Sequence, residues 1–403
     1  MSARMPGTAP VPAKAGAVDG RPGPRHGTPR RIAMTADAVG GVWQYALDLA
    51  HGLAAVEIGT DLLVLGPPPG PAAERAAGAV PGLRLHPVAT PLDWAGAGPE
   101  EIDRGTRALA DAIARLDPPL VHLNHPAYAE ATDGRPTVAV VHSCVATWWR
   151  AVRGGRPPEA FREATERIRR ALATTSAAVA PTAALAAALT EIYRPPRVIR
   201  VVHNGRRPPR PSVGPGRTGY AFTAGRLWDE GKNLALLDRA AARLARPIAA
   251  AGPTEGPNGA AVSLQNVIRL GPLDDATIAG WMADAEVFVS AARYEPFGLA
   301  VLEAARSGTP LVLSDIPTFR ELWEGAALFA DPDHVAGFAR AIETVLDAPR
   351  LAADLADRAA RRAARYTIEA QAKAMRAIYA DIAGPALYTP APAMAAARTE
   401  APA

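Results

Sequence analysis

Short apolar runs and helix-patterned stretches alternate along almost the whole of this 403-residue chain, which leaves few folds open. Residues 31–34, 61–65, 83–88, 120–123, 137–141, 177–180 and 198–202 read as strands, with helix patterns at 42–54, 100–115, 158–174 and 182–192. A second series follows, with strands at 220–223, 247–251, 267–270, 287–291, 310–313 and 327–329 and helices between and after them. Strands separated by helices pair in parallel, and the helices cover both faces of the sheet. A Pro/Gly-rich run at 206–217 divides the two series and reads as a linker. The expected architecture is therefore α/β, with two Rossmann-like domains at 29–205 and 218–365. The last helix, 366–383, follows them. Residues 1–28 and 384–403 are rich in Pro, Gly and Ala without a period and read as disordered.

Charge narrows the function. The chain carries a net +4, yet residues 1–31 hold six basic residues and one acid, which leaves about −1 for the remainder. The basic balance belongs to a tail, and no basic helix or aromatic stripe points to a nucleic acid. Cys144 is the only cysteine, so no intrachain disulfide forms, as in a reducing compartment. No apolar run is long enough to span a bilayer, and the N-terminus lacks the apolar core of a signal peptide. A cytoplasmic location is expected, and peripheral contact with a membrane stays open.

Three places carry chemistry. The first is Arg293–Glu303, a turn rich in Pro296 and Gly298 between an apolar strand and a helix start. In open parallel sheets ligands bind beyond the carboxyl ends of strands, and a helix start offers free N–H groups to an anion. Glu295 and Glu303 frame that turn. A carboxylate beside an anion site is unfavourable unless it binds something else, and hydroxyls of a sugar or ribose are the natural partners. Taken singly, each is as readily a solvated surface charge.

The second place is Gly225–Asn233, where Arg226 and Lys232 follow a strand. Five residues separate Gly225 from Gly231, and Asn233 follows the lysine, so this is not a Walker A loop. Arg226 and Lys232 remain as cations suited to a diphosphate, or as solvated surface charges. The third place is the strand-end rim of the first half. Gly40 and Gly41 let the backbone approach a phosphate or sugar, or simply make a tight turn. His125 and His142 stand just past buried strands, where an isolated histidine is commonly a packing residue.

Glu295-Pro296-Phe297-Gly298-Leu299, continuing through Ala300–Leu302 to Glu303, resembles the E-x7-E signature of retaining glycosyltransferases of family 4. The continuation from Ala304 to Asp315, the Gly225-Arg226 to Lys232-Asn233 segment and the His203-Asn204-Gly205 turn are similar to that family as well. The resemblance runs from about residue 30 to 382, strongest from 219 to 347. It implies the GT-B arrangement, two domains facing a cleft with the C-terminal helix crossing back to the first. It implies a nucleotide-sugar donor held by Arg226, Lys232, Glu295, Phe297, Gly298, Leu299 and Glu303, with Gly40 and Gly41 nearby. Glu303 would take the ribose diol, Glu295 the transferred sugar, and His142 would orient that sugar. The expected catalytic set is Glu295, His142, Arg226 and Lys232. No metal or cofactor is expected, since cations and backbone N–H groups can stabilise the leaving diphosphate. The chain departs from the family at His125, where His-Glu-Pro is usual, and at His203 and Arg206. A sugar-nucleotide epimerase and an inactive sugar-nucleotide-binding scaffold are the alternatives, and the acceptor is not specified.

Overall fold

The structure, a computed structural model, describes residues 31–94, 96–208, 214–216, 219–257 and 259–383. Both tails read as disordered lie outside the described residues, as do 209–213 and 217 of the linker.

The first domain holds seven strands, β1 (Arg31–Asp37), β2 (Gly59–Leu65), β3 (Leu83–Val88), β4 (Val121–Leu123), β5 (Thr137–Val140), β6 (Ala177–Ala180) and β7 (Arg200–Val201). All described pairs are parallel, in the order β3-β2-β1-β4-β5-β6-β7. The second domain repeats that winding with β8 (Ala221–Ala224), β9 (Ile248–Ala251), β10 (Ile268–Gly271), β11 (Val287–Ser290), β12 (Leu311–Ser314) and β13 (Leu328–Ala330), ordered β10-β9-β8-β11-β12-β13. In each sheet the order reverses beside the first strand, between β1 and β4 and between β8 and β11. Crevices open at such reversals, beyond the carboxyl ends of the strands.

Strand alternation distributes the core. Ile32, Met34 and Ala36 of β1 pack in one cluster, with the helix Gly41–Ala54, while Ala33 packs in the cluster on the opposite face. Such two-sided burial is what makes these strands read as continuous apolar runs. The last helix, Ile368–Ala383, closes the first domain's core through Ala372, Met375, Ile378 and Tyr379. It lies so close to the first helix that a Cβ on Gly52 would sit 2.7 Å from the Ile368 carbonyl oxygen. No helix among the described residues is long and apolar enough to cross a membrane.

Some local expectations need correction. The run 198–202 forms only the two-residue edge strand β7, whose residues are exposed. Between the strands expected at 310–313 and 327–329, Pro317 starts the helix Pro317–Trp323, a position where the missing proline N–H costs no hydrogen bond. Arg206 is part of the domain interface, with its side chain only 13% exposed.

Candidate functional site

Three turns at the strand-end rim of the first domain meet one segment of the second, Tyr294–Leu299. Gly41 stands against Leu299, its missing Cβ 3.8 Å from the leucine Cδ1. Ser143 Oγ and Thr147 Oγ1 lie 3.1 and 2.8 Å from the Tyr294 hydroxyl. Thr182 Oγ1 donates to the Pro296 carbonyl at 2.9 Å. Thr182 also caps its own helix, Ala183–Tyr193, so that helix start is fixed to the turn. Glu321 adds a fourth tie, accepting the Ala183 and Ala184 N–H groups across the interface at 2.9 and 2.8 Å. His203 Nε2 sits 3.0 Å from the same carboxylate. His203 and the Ala183 and Ala184 N–H groups hold Glu321 below the usual carboxylate range, although burial alone would raise it.

Within the second domain the turn is built around Gly298. Its φ of +90° is left-handed, and an added Cβ would also sit 3.2 Å from the Phe319 ring. Any other residue is strained there. The helix Leu299–Arg306 starts with no side-chain cap, so its first N–H groups are available to an anion. Lys232 and Glu295 form a short ion pair beside this start, with side chains 23% and 13% exposed. Arg226 is more open and lies over the Trp228 ring, its Nη2 3.0 Å from Asp229 Oδ2. The other oxygen of Asp229 accepts from Gly231 N and from Trp148 Nε1 of the first domain. Asp229 thereby aims Arg226 and ties its loop across the cleft. A cavity of about 430 Å³ beyond β9 and β10, lined by Gly252, Thr254, Glu255 and Arg269, adjoins this loop. Gly252 packs directly on the Gly225 carbonyl, where no Cβ would fit.

Two expected donor contacts stand differently. The Phe297 side chain is buried against Tyr366 and His203, so only its backbone faces a ligand. Glu303 is not an open acceptor. Arg206 Nε bonds its Oε1, and the same guanidinium reaches Asp48 Oδ2 at 3.0 Å. Burial raises the Glu303 carboxyl above the usual range despite Arg206. Asp331-Pro332-Asp333 has the spacing of an Asp-x-Asp metal motif. Here Asp331 Oδ1 accepts from the Asp333 N–H and Asp333 pairs with Arg293. Among the described residues no group of three or more His, Cys, Asp or Glu is placed to hold a metal.

His142 is fixed by a polar relay that the sequence did not reveal. Asn124 Nδ2 donates to the Thr35 carbonyl at 2.7 Å, which turns its Oδ1 towards His122 and His142. Both histidines therefore carry their proton on Nε2, at 3.0 and 2.8 Å from that oxygen. His142 keeps Nδ1 as an acceptor. Tyr379 on the crossing helix donates to His122 Nδ1 at 2.6 Å, and Tyr45 packs edge-on against His142 at 4.3 Å. Burial pulls His142 down to about 3 and His122 to about 4. His125 is different. It is buried, pairs with Asp37 at 3.0 Å and titrates above the usual histidine range, since Asp37 and Asp93 favour its charged form against burial.

Acid should therefore unfold this protein through neutral histidines. The unfolded chain binds protons on His122 and His142 below about pH 6.5, and the folded chain refuses them until far lower. Their contribution is complete above about 6.5 and is lost as the pH falls, by up to about 1.4 kcal/mol per pH unit for each. His125 acts in the opposite sense, losing its contribution only as the pH rises past its elevated folded value. Urea unfolding of His142→Gln between about pH 6.5 and 5 should show a pH slope shallower than wild type by up to one proton. An unchanged slope contradicts the assignment.

Two facing switch points, one with paired cations at a strand-end turn and an uncapped helix start, define the two-domain GT-B class of glycosyltransferase folds. The family model described as glycosyl transferases group 1 matches residues 219–348, and that described as Glycosyltransferase Family 4 matches 39–208. The chain belongs to the group 1 glycosyltransferases. It is 34% identical over 114 residues to a lipopolysaccharide core biosynthesis mannosyltransferase of Rhizobium meliloti, covering 27% of this chain and 32% of that protein. A sucrose-phosphate synthase from Thermosynechococcus elongatus superposes with a TM-score of 0.72 at 18% identity, over 87% of this chain and 98% of that one. Anabaena HepE, in complex with UDP and glucose, superposes with a TM-score of 0.65 at 16% identity, over 87% and 100%. The chain thus aligns with about a third of the length of the curated mannosyltransferase, while the structural likeness extends over both domains.

Proposed function

We propose that this protein transfers a sugar from a nucleoside diphosphate sugar to an acceptor hydroxyl, with retention of anomeric configuration. The observation that carries the reading is the convergence of three rim turns of the first domain on Tyr294–Leu299, beside Lys232, Glu295 and an uncapped helix start. A donor lying there has its diphosphate against Lys232, Arg226 and the N–H groups of Leu299 and Ala300. Its base occupies the cavity beside Gly252, and its ribose meets Glu303 Oε2, the oxygen that Arg206 leaves without a hydrogen bond among the described residues. The complex of HepE with UDP and glucose is in keeping with such a donor.

As the glycosidic bond breaks, negative charge collects on the leaving diphosphate, and preorganised cations and N–H groups act where it develops. Glu295, held by Lys232, receives hydroxyls of the transferred sugar. His142, with a bare Nδ1, accepts one more from the opposite domain. No dedicated covalent nucleophile is required, because the departing phosphate can take the acceptor's proton on the face it leaves. The charge on the leaving group is met by Lys232, Arg226 and the helix start, so turnover on this reading is insensitive to EDTA.

The test incubates the purified protein with a panel of nucleotide sugars and measures released UDP, GDP or ADP, with EDTA and with or without saccharide acceptors. Release from one donor, with an α-donor giving an α-linked product by NMR, is the expected result. An inverted product removes the retaining mechanism. Failure to bind or cleave any nucleotide sugar removes the whole reading.

A further inference from the structure

The switch point of the first sheet, between β1 and β4, holds a cluster that the donor site does not use. Asp37 ends β1. Its Oδ2 accepts from His125 Nε2 and from Trp94 Nε1 at 3.2 Å, and its Oδ1 accepts from the Val39 N–H at 3.0 Å. Both Val39 and Trp94, the neighbours that Asp37 holds, are exposed apolar side chains, at 44% and 37%. Exposed large side chains scattered singly need no explanation, whereas two anchored at one point in a cleft do.

Trp94 is held rather than loose. Its loop is fixed at Pro91, whose carbonyl takes the Tyr128 hydroxyl at 2.6 Å, and at Leu92, which fills the space where Gly66 lacks a Cβ. With its N–H bound to Asp37, the indole has an oriented, partly exposed face and no unmet donor. One residue before it, Asp93 carries a buried Oδ1 without a hydrogen-bond partner. From Asp37 the chain runs through Val39 and Gly40 to Gly41 and its contact with Leu299, so this point is continuous with the donor turn.

The charge at this rim is one-sided. Segments 37–41, 66–70, 89–98, 124–129 and 141–146, which follow β1 to β5, contain no Lys or Arg. His125 is already paired with Asp37, and His142 is neutral. Arg206, after β7, is buried among carboxylates. A phosphate placed here would meet Asp37 with no guanidinium or ammonium from these segments to bind it, and phosphate recognition depends on such groups. An indole face beside a carboxylate suits instead the C–H face and hydroxyls of an uncharged sugar ring.

We propose that Trp94 is the platform for an uncharged sugar ring of the acceptor, and that the reacting end of the acceptor carries no phosphate. This rests on the transferase reading above and names its acceptor class.

The test exposes the full-length protein to an array of uncharged oligosaccharides and of sugar phosphates, in the presence of a nucleoside diphosphate. It is repeated with Trp94→Ala and Trp94→Tyr. Wild type should bind uncharged glycans in preference to sugar phosphates. Trp94→Ala should weaken that binding at least tenfold and Trp94→Tyr should recover most of it, with nucleoside diphosphate affinity and melting temperature unchanged in both. Preference for sugar phosphates, binding of no glycan, or equal binding by wild type and Trp94→Ala overturns the proposal. Should Trp94→Ala lose its fold, Trp94→Tyr decides: binding near wild type supports the platform, and a loss of tenfold or more overturns it. Loss of nucleotide binding by wild type would instead be a failure of the transferase reading, which the array then separates from a failure of the acceptor class.

Discussion

Lys232→Ala should lower turnover by about 100- to 1000-fold, the usual effect of removing one preorganised group that meets developing charge. The ammonium stands beside the uncapped start of Leu299–Arg306 and already holds Glu295, so it is in place before the donor arrives. Removing it subtracts a charge from the leaving group and releases the carboxylate that positions the sugar. Both losses fall on kcat. Glu295 keeps only 13% of its side chain exposed, so some loss of stability accompanies the loss of its partner, and turnover is compared at a temperature where both proteins are folded. Arg226→Ala should cost less, since its side chain is 48% exposed and solvent screens it. Lys232→Arg separates the two roles, because a planar fork restores charge without restoring a compact point contact. Turnover in Lys232→Ala within a factor of about three of wild type, at such a temperature, removes this residue from the mechanism.

The second domain is the more legible half because its chemistry is local. Arg226, Lys232, Glu295 and Gly298 lie within two strand-to-helix turns, and the sequence puts each beside its strand end. The helix boundaries near 299–306 follow from the same apolar run. The first domain's site is assembled from distant segments. Thr35, Tyr45, Asn124, His142 and Tyr379 come from strand ends, helices and the far C-terminus, and no spacing connects them. Asn124 is visible in the sequence only as the residue before His125. Its role depends on an amide orientation set by a backbone carbonyl on another strand. Phe297 misleads for the opposite reason. It sits inside a motif that reads as ligand-binding, yet its ring belongs to the core, and motif membership does not say which way a side chain turns. Arg206 stands out in the sequence only as a departure from the family turn. Its three carboxylate neighbours lie far away in sequence, at 48, 275 and 303.

That arginine carries the largest expected effect on stability. Its Nη1 pairs with Asp48, which is 1% exposed, and its Nε with Glu303, 19% exposed, so one guanidinium neutralises carboxylates from both domains. Arg207 Nε and Gln44 Nε2 also reach Asp48, at 3.1 and 3.0 Å, but Arg207 is 41% exposed and Gln44 brings no charge. Leaving a buried charge without its partner costs about 3–5 kcal/mol, more than most substitutions of any kind. Arg206→Met keeps much of the side chain's volume and removes only the charge, so a loss of that size in urea unfolding at about pH 7 would be electrostatic in origin. Asp48→Asn placed on Arg206→Met removes the stranded charge, and should recover a large part of the loss. Simple additivity of the two single variants would show that they do not act through one contact. Glu303 gives the second readout. Freed from Arg206 in a buried position, its carboxyl should stay protonated to higher pH than in wild type. The ribose-binding form would then be lost, and nucleoside diphosphate affinity in Arg206→Met should fall as the pH is lowered from about 8 to 6 more steeply than in wild type. Parallel pH dependence in the two proteins would separate Arg206 from the donor site and leave it a purely structural clamp.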